Sequence, residues 1–230
     1  MTRKQVWTAV DIDNTIIDTR PRLQGIWLEL LGRHVSEDDL HSTDHVGIFE
    51  KYADDEQKAR AQSLQRRFWE LLLCESEIGM RLADLDRPIA HAAGVLRQWS
   101  LDSSIAYVTG RPDTVRDLTL KQMMEFGYPL QNAILIMYHL EDYAYLKGER
   151  SGRTLLQVRT GIFRNLIAEH DVIRVVDDIP GHFGIYRRFG VPERIGIRTS
   201  LRFSDEDFNN NGATRVVDSW LELLPAGNVQ

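Results

Sequence analysis

Apolar residues run almost unbroken from Val6 to Ile12 ("VWTAVDI"), the pattern of a buried strand. From about Thr19 to Arg87 the texture is helical. Leu23, Ile26, Trp27, Leu30 and Leu31 fall on one stripe that Gly32 closes, and Leu64, Phe68, Leu71 and Leu72 form a second. Beyond Arg87-Pro88 two periods alternate. "SIAYVTGR", "AILIM", "VIRVVDDIP" and "ERIGIRT" predict strands. "IAHAAGVLRQW", "DTVRDLTLKQMMEFG", "TLLQVRTGIFRNLIAEH" and "GHFGIYRRFG" predict helices, and "VVDSWLELL" is expected to be a last one. Thr154 and Gln157 stand at the spacing of a capping box. Strands separated by helices predict an α/β fold, a doubly wound parallel sheet with helices on both faces. On this reading 1–18 and 88–230 form the Rossmann-like core, and 19–87 is a helical cap inserted after the first strand.

Composition changes this picture little. The 230 residues are 43% hydrophobic, ordinary for a globular chain, and the net charge of −6 gives no basic field for nucleic acid or anionic membrane. No stretch approaches the roughly 20 apolar residues that span a bilayer, and the start lacks an apolar run of signal-peptide length. The single cysteine, Cys74, excludes an internal disulfide and reads as a small buried apolar residue or a spare thiol. These features predict a soluble protein of a reducing, cytoplasmic compartment.

The candidate chemistry lies at the strand ends, where ligands of doubly wound sheets bind. The first strand delivers Asp11 and Asp13, the second Thr109-Gly110-Arg111, and the fourth Asp177-Asp178. Clustered carboxylates are costly unless something positive joins them. Hard oxygen donors without strand-end histidine or cysteine suit Mg²⁺. A hydroxyl followed by glycine, with a helix starting near Pro112, suits a phosphoryl group. Asp11 is placed to be the nucleophile, and Asp13, two residues on, to reach the leaving oxygen.

At these residues the chain resembles the haloacid dehalogenase superfamily. "DIDNT" matches its first motif, "YVTG" its second, and "VVDDI" its fourth. The resemblance covers about 6–18 and 88–200, and the helical insertion stands where many members carry a cap. It implies a phosphatase acting through an aspartyl-phosphate on Asp11, with Asp13 as acid and then base. It also implies Thr109 on a phosphoryl oxygen, with Asn14 and Gly110 beside it, and Mg²⁺ held by Asp11, the Asp13 carbonyl and Asp178 with Asp177 assisting. One departure concerns the third motif, normally a lysine. "VRTGIFRNLIAEHDVIRVVDDI" resembles the phosphatase part of polynucleotide kinase-phosphatases, but Arg159 stands at the lysine position. Lys147 lies upstream on the same edge. Both are candidates for the missing cation, and the register favours Arg159. The expected substrate is a small phosphorylated metabolite. The alternatives are end-processing of nucleotides or nucleic acid, which the acidic charge disfavours, and a non-catalytic domain of the same fold.

Three other patterns carry less. "DFNNNGATRVVD" fits a calcium loop at Asp207, Asn209, Asn211, Gly212 and Asp218, yet lacks the twelfth-position Glu, and reads as an Asn-Gly turn preceded by extended chain. His41 and His45 have metal-binding spacing without a third ligand. For Arg111, beside the phosphate loop, substrate contact and a structural ion pair are both open.

Overall fold

The computed structural model describes residues 5–147 and 153–224, the side chains of 145–147 excepted. Six strands form one parallel sheet: β1 (Val6–Val10), β4 (Ser104–Pro112), β5 (Ala133–Tyr138), β6 (Asp171–Asp177), β7 (Glu193–Ile197) and β8 (Arg215–Val217). Their order is β5-β4-β1-β6-β7-β8, so the chain leaves the central β1 first to one side and then to the other. That reversal makes the switch point at which such sheets bind ligands. Val10 pairs with Tyr107 on one side and with Val176 on the other. The register therefore brings the residues after Val10 level with Thr109 and Asp177.

Period-2 alternation sorts the strand side chains between two cores. Val10, Tyr107 and Val176 pack with Val95 and Leu96 of α7 (Ala92–Trp99) and Met123 of α8 (Arg116–Glu125). Trp7, Ala9, Val108 and Val175 pack with Phe163 and Leu166 of α9 (Leu155–Glu169), Tyr186 of α10 (Phe183–Arg188) and Phe208 of α11 (Asp205–Asn211). The capping box of α9 is present in both directions between Thr154 and Gln157.

A two-residue ribbon, β2 (Ile17–Asp18) against β3 (Arg87–Pro88), frames the helical insertion. The helices between are α1 (Arg20–Leu31), α2 (Glu37–Ser42), α3 (His45–Tyr52), α4 (Asp55–Ala59), α5 (Ala61–Leu72) and α6 (Glu77–Ala83). They close over their own core of Ile26, Trp27, Leu31, Ile48, Phe68 and Leu71. Gly32 ends α1 in the left-handed region at φ 67°, where a side chain would be strained.

Three expectations are corrected. "VVDSWLELL" is no helix: Val217 pairs with Ile197, and only Trp220–Leu223 turns, as a 3₁₀ segment. Two β-branched valines at a sheet edge favour the strand, and the buried Trp220 anchors the turn by donating to the Thr15 carbonyl at 2.7 Å. Residues 205–211 are helical rather than extended, because Ser204 and Asp207 form a capping box. Beyond Thr109, β4 continues to Pro112, and a 3₁₀ turn at Asp113–Val115 precedes α8.

Candidate active site

Asp11 follows β1 directly, and its backbone N–H donates to the Val176 carbonyl at 3.0 Å. The chain then turns through Asn14, at φ 58°, a left-handed conformation that Asn adopts more readily than most residues. The Asn14 carbonyl accepts from Thr199 at 2.6 Å, and its side-chain oxygen accepts from the Thr19 hydroxyl at 2.9 Å. This tight turn holds Asp11, Asp13 and Asn14 along one cavity of about 320 Å³, which Gly110, Arg159 and Asp178 also border. Thr109 lies buried beneath, its hydroxyl accepting the Arg111 N–H at 3.0 Å.

Arg159 sits in the second turn of α9 and is 2% exposed, yet its guanidinium reaches the rim. Nη2 donates to Asp11 Oδ1 at 3.0 Å and to Asp177 Oδ2 at 2.5 Å, and Nε donates to the Tyr186 hydroxyl at 2.8 Å. The sequence favoured this residue for the cation, and its length covers the distance from inside the helix. Lys147 closes a 3₁₀ segment, Leu140–Lys147, and its side chain lies outside the described residues.

Asp177 Oδ2 accepts from Arg159, the Tyr186 hydroxyl and His182, and its Oδ1 accepts from the Ile179 N–H at 2.8 Å and from His182 at 3.1 Å. Both oxygens accept hydrogen bonds, and through them Asp177 orients Arg159. Against burial, Arg159 and His182 hold its carboxyl well below the usual range.

For Arg111, of the two readings the contacts present are those of the ion pair. Nε and Nη2 grip Asp13 at 2.9 and 2.7 Å, Nη2 also reaches Asp86 at 2.9 Å, and Nη1 meets Gln122 at 2.5 Å and Thr119 at 3.4 Å. Every guanidinium donor is taken. Arg22 of α1 adds a second cation 3.3 Å from Asp13 and 3.2 Å from Asp86. Burial alone would raise the Asp13 carboxyl, but Arg111 and Arg22 hold it below the ordinary value.

Asp11 and Asp178 are the opposite case. Burial pushes Asp11 up to about 8, outweighing the pull of Arg159, and Asp177 and Asp13 add to the rise. Burial and the neighbouring Asp11 and Asp177 raise Asp178 well above the carboxylate range, and the Thr15 hydroxyl, 3.2 Å away, and a backbone N–H ease it only in part. Among the described residues no three His, Cys, Asp and Glu side chains gather as a metal cluster. The two under-compensated carboxylates are nonetheless hard oxygen donors short of one cation, which fits Mg²⁺.

The calcium-loop and histidine patterns come apart. Asp207 is spent in the cap of α11, and Asp218 pairs with Arg198 at 2.6 Å. His41 bonds Arg20 on α2, while His45 stacks on Phe68 at 5.3 Å on α3. Sequence reasoning did not find Arg22, Asp86, Tyr186 or His182. For the last two a signal existed: they stand four apart just after the acid pair, one helical face turned toward Asp177.

No protein-family model matches the chain, and no curated protein matches its sequence. Solved structures do match over nearly the whole length. A haloacid dehalogenase-like family hydrolase from Streptococcus pneumoniae aligns with TM-score 0.61 at 12% identity, over 95% of this chain and 96% of that one. A predicted phosphoglycolate phosphatase from Haemophilus somnus aligns with TM-score 0.61 at 12% identity, over 97% and 98%. A HAD family hydrolase from Deinococcus radiodurans, with bound phosphate and sodium, aligns with TM-score 0.53 at 14% identity, over 94% and 92%. The chain has the fold of the haloacid dehalogenase-like hydrolases.

Proposed function

We propose that this protein is a Mg²⁺-dependent phosphatase that hydrolyses a small phosphate monoester through an aspartyl-phosphate on Asp11. The observation that carries the reading is the setting of Asp11. It ends the central strand at the switch point, with Arg159 on one carboxylate oxygen and the other edge of the group on a cavity shared with Asp13 and Asp178. Neighbours of this fold bear hydrolase and phosphatase names, and one holds phosphate, which supports the same chemistry.

In the first step Asp11 attacks phosphorus in line, the ester P–O bond breaks, and Asp13 supplies the proton that the leaving oxygen takes. In the second, Asp13 accepts a proton from water, which attacks the acyl phosphate and restores Asp11. The Arg159 guanidinium stays charged at any working pH and is fixed by Asp177 and Tyr186, so it is preorganised for charge on the phosphoryl oxygens. Mg²⁺, held by Asp11, Asp178 and the Asp13 carbonyl, would offset the charge of the carboxylates and the phosphoryl group. The helical insertion, 19–87, serves as the cap that shuts water out of this cavity.

Phosphate release from small esters tests the reading. Activity should vanish in excess chelator, return with Mg²⁺, and be accompanied by an acid-stable phosphoenzyme absent from Asp11→Asn. Release that survives chelation, or a phosphoenzyme in Asp11→Asn, would refute it.

A further inference from the structure

We propose that the ester this site takes carries an apolar, ring-bearing leaving group rather than a sugar or a second anion. The proposal rests on the phosphatase reading and adds the substrate class. The cavity has two unlike ends. Asp11, Asp13, Asn14, Gly110 and Asp178 form the phosphoryl end. The facing wall is built from Leu23, Trp69, Leu72 and Leu73 of the insertion, with Leu118 and Leu155 of the core.

Each guanidinium on the described wall already carries carboxylate partners. Arg111 is committed to Asp13 and Asp86, Arg159 to Asp11 and Asp177, and Arg22 to Asp13 and Asp86. A second anionic group would have to compete with those carboxylates. Tyr138, Tyr143 and His182 also border the cavity, but sugar hydroxyls beyond their reach would leave water to face leucine side chains, and polar groups buried without partners are costly. A ring gains by the same burial.

Trp69 marks the wall in a second way. Its indole Nε1–H is buried without a hydrogen-bond partner. The ring lies edge-on to His45 at 5.3 Å and to Phe68 at 5.4 Å. It also borders a neighbouring cavity of about 180 Å³, lined in part by Trp27, His45, Phe68 and Phe203. The aromatic surface thus continues from the phosphoryl end under the insertion. Trp69 is the specificity-determining residue that this arrangement assigns.

The test compares kcat/KM of the full chain with Mg²⁺ on benzyl phosphate, glucose 6-phosphate and acetyl phosphate. The first two are both esters of primary alcohols, so the alcohol bodies differ more than the bonds broken. Acetyl phosphate has almost no leaving-group body and reports the chemistry alone. Benzyl phosphate should exceed glucose 6-phosphate by at least about tenfold, and by about 100-fold if two hydroxyls go unpaired. Trp69→Ala should lower the benzyl value about tenfold or more while acetyl phosphate changes less than about threefold. Trp69→Phe keeps a ring and guards against a cap that fails to fold; it should keep the preference. A preference under tenfold with acetyl phosphate still hydrolysed overturns the proposal and leaves the phosphatase reading standing. Equal losses on all three substrates in Trp69→Ala overturn the role of Trp69. If acetyl phosphate is inert as well, the phosphatase reading falls and the proposal falls with it.

Discussion

Replacing Arg159 separates its charge from its shape. In Arg159→Ala the fully buried Asp177 loses its strongest cation and keeps only Tyr186, His182 and the Ile179 N–H. Breaking a buried pair by removing one partner costs about 3–5 kcal/mol, against a total stability of about 5–15 kcal/mol for a protein domain. The variant should therefore fold, with a markedly lower Tm. Its turnover should fall about 100- to 1000-fold, the scale of losing one preorganised donor. Arg159→Lys keeps a charge but has no planar fork. One ammonium serves Asp11 and Asp177 and gives up the Tyr186 bond, a loss of about 1 kcal/mol in stability. Its turnover should lie between those of Arg159→Ala and the wild type. The assay is steady-state phosphate release beside thermal unfolding, with Lys147→Ala as the comparison, expected to cost much less than Arg159→Ala. A folded Arg159→Ala with near wild-type turnover would sink the assignment. A severe Lys147→Ala, with Arg159→Ala merely unstable, would move the cation to the segment that carries Lys147.

Other consequences follow from the same geometry. Asp178→Ala should weaken Mg²⁺ binding by tenfold or more, read by titration of the metal alone; unchanged affinity would remove Asp178 from the set. Asp11 is pushed up to about 8 and Asp178 is raised too, so between about pH 4 and that value these two groups bind more protons in the folded protein than in the unfolded chain, an effect that the lowered His45 and His182 oppose in part. Stability of the metal-free protein should then fall as pH rises from 5 to 8, and Mg²⁺ should flatten the trend; a metal-free protein more stable at pH 8 than at pH 5 would contradict it. Tyr186→Phe should lower Tm and cut turnover modestly, because it frees Arg159 Nε and removes one donor to Asp177; a loss as large as that of Arg159→Ala would mean that Tyr186 itself acts on the substrate.

The fold was legible because its signals are periodic. Every core strand but the last was marked by a short apolar run between helical stretches, and Arg87-Pro88 marked the return from the insertion. The last strand escaped because Arg215–Val217 is only three residues long and runs on into helix-like "SWLELL". The register that gathers Asp11, Thr109 and Asp178 follows from their standing at or near the carboxyl ends of neighbouring parallel strands. Arg159 could be placed only by its register in the stretch that resembles the third motif, four residues before Phe163 and eight before Ile167. Arg22, Asp86 and Gln122 gave no signal at all. Charged and amide residues on amphipathic helices, like Arg22 and Gln122, usually face solvent, and a loop acid such as Asp86 does too; only tertiary packing turns these three inward around the Arg111–Asp13 pair.

That hidden cluster changes how Asp13 works. A general acid in the first step must carry a proton, yet two guanidinium groups hold the resting carboxyl ionised. The ionised form suits the second step, in which Asp13 takes a proton from water. The first step is then the more demanding for this site, and most so for leaving groups that need protonation. One of the two cations, Arg22, comes from the helical insertion, and the other, Arg111, from the core strand β4; Asp86, ahead of the returning ribbon, contacts both. Of the groups around Asp13, only Arg22 comes from the insertion's helices; Asp86 is bonded by Arg111 and Gln122 of the core as well. On the proposed mechanism, one guanidinium of the insertion and one of the core thus act together on the proton that Asp13 must carry.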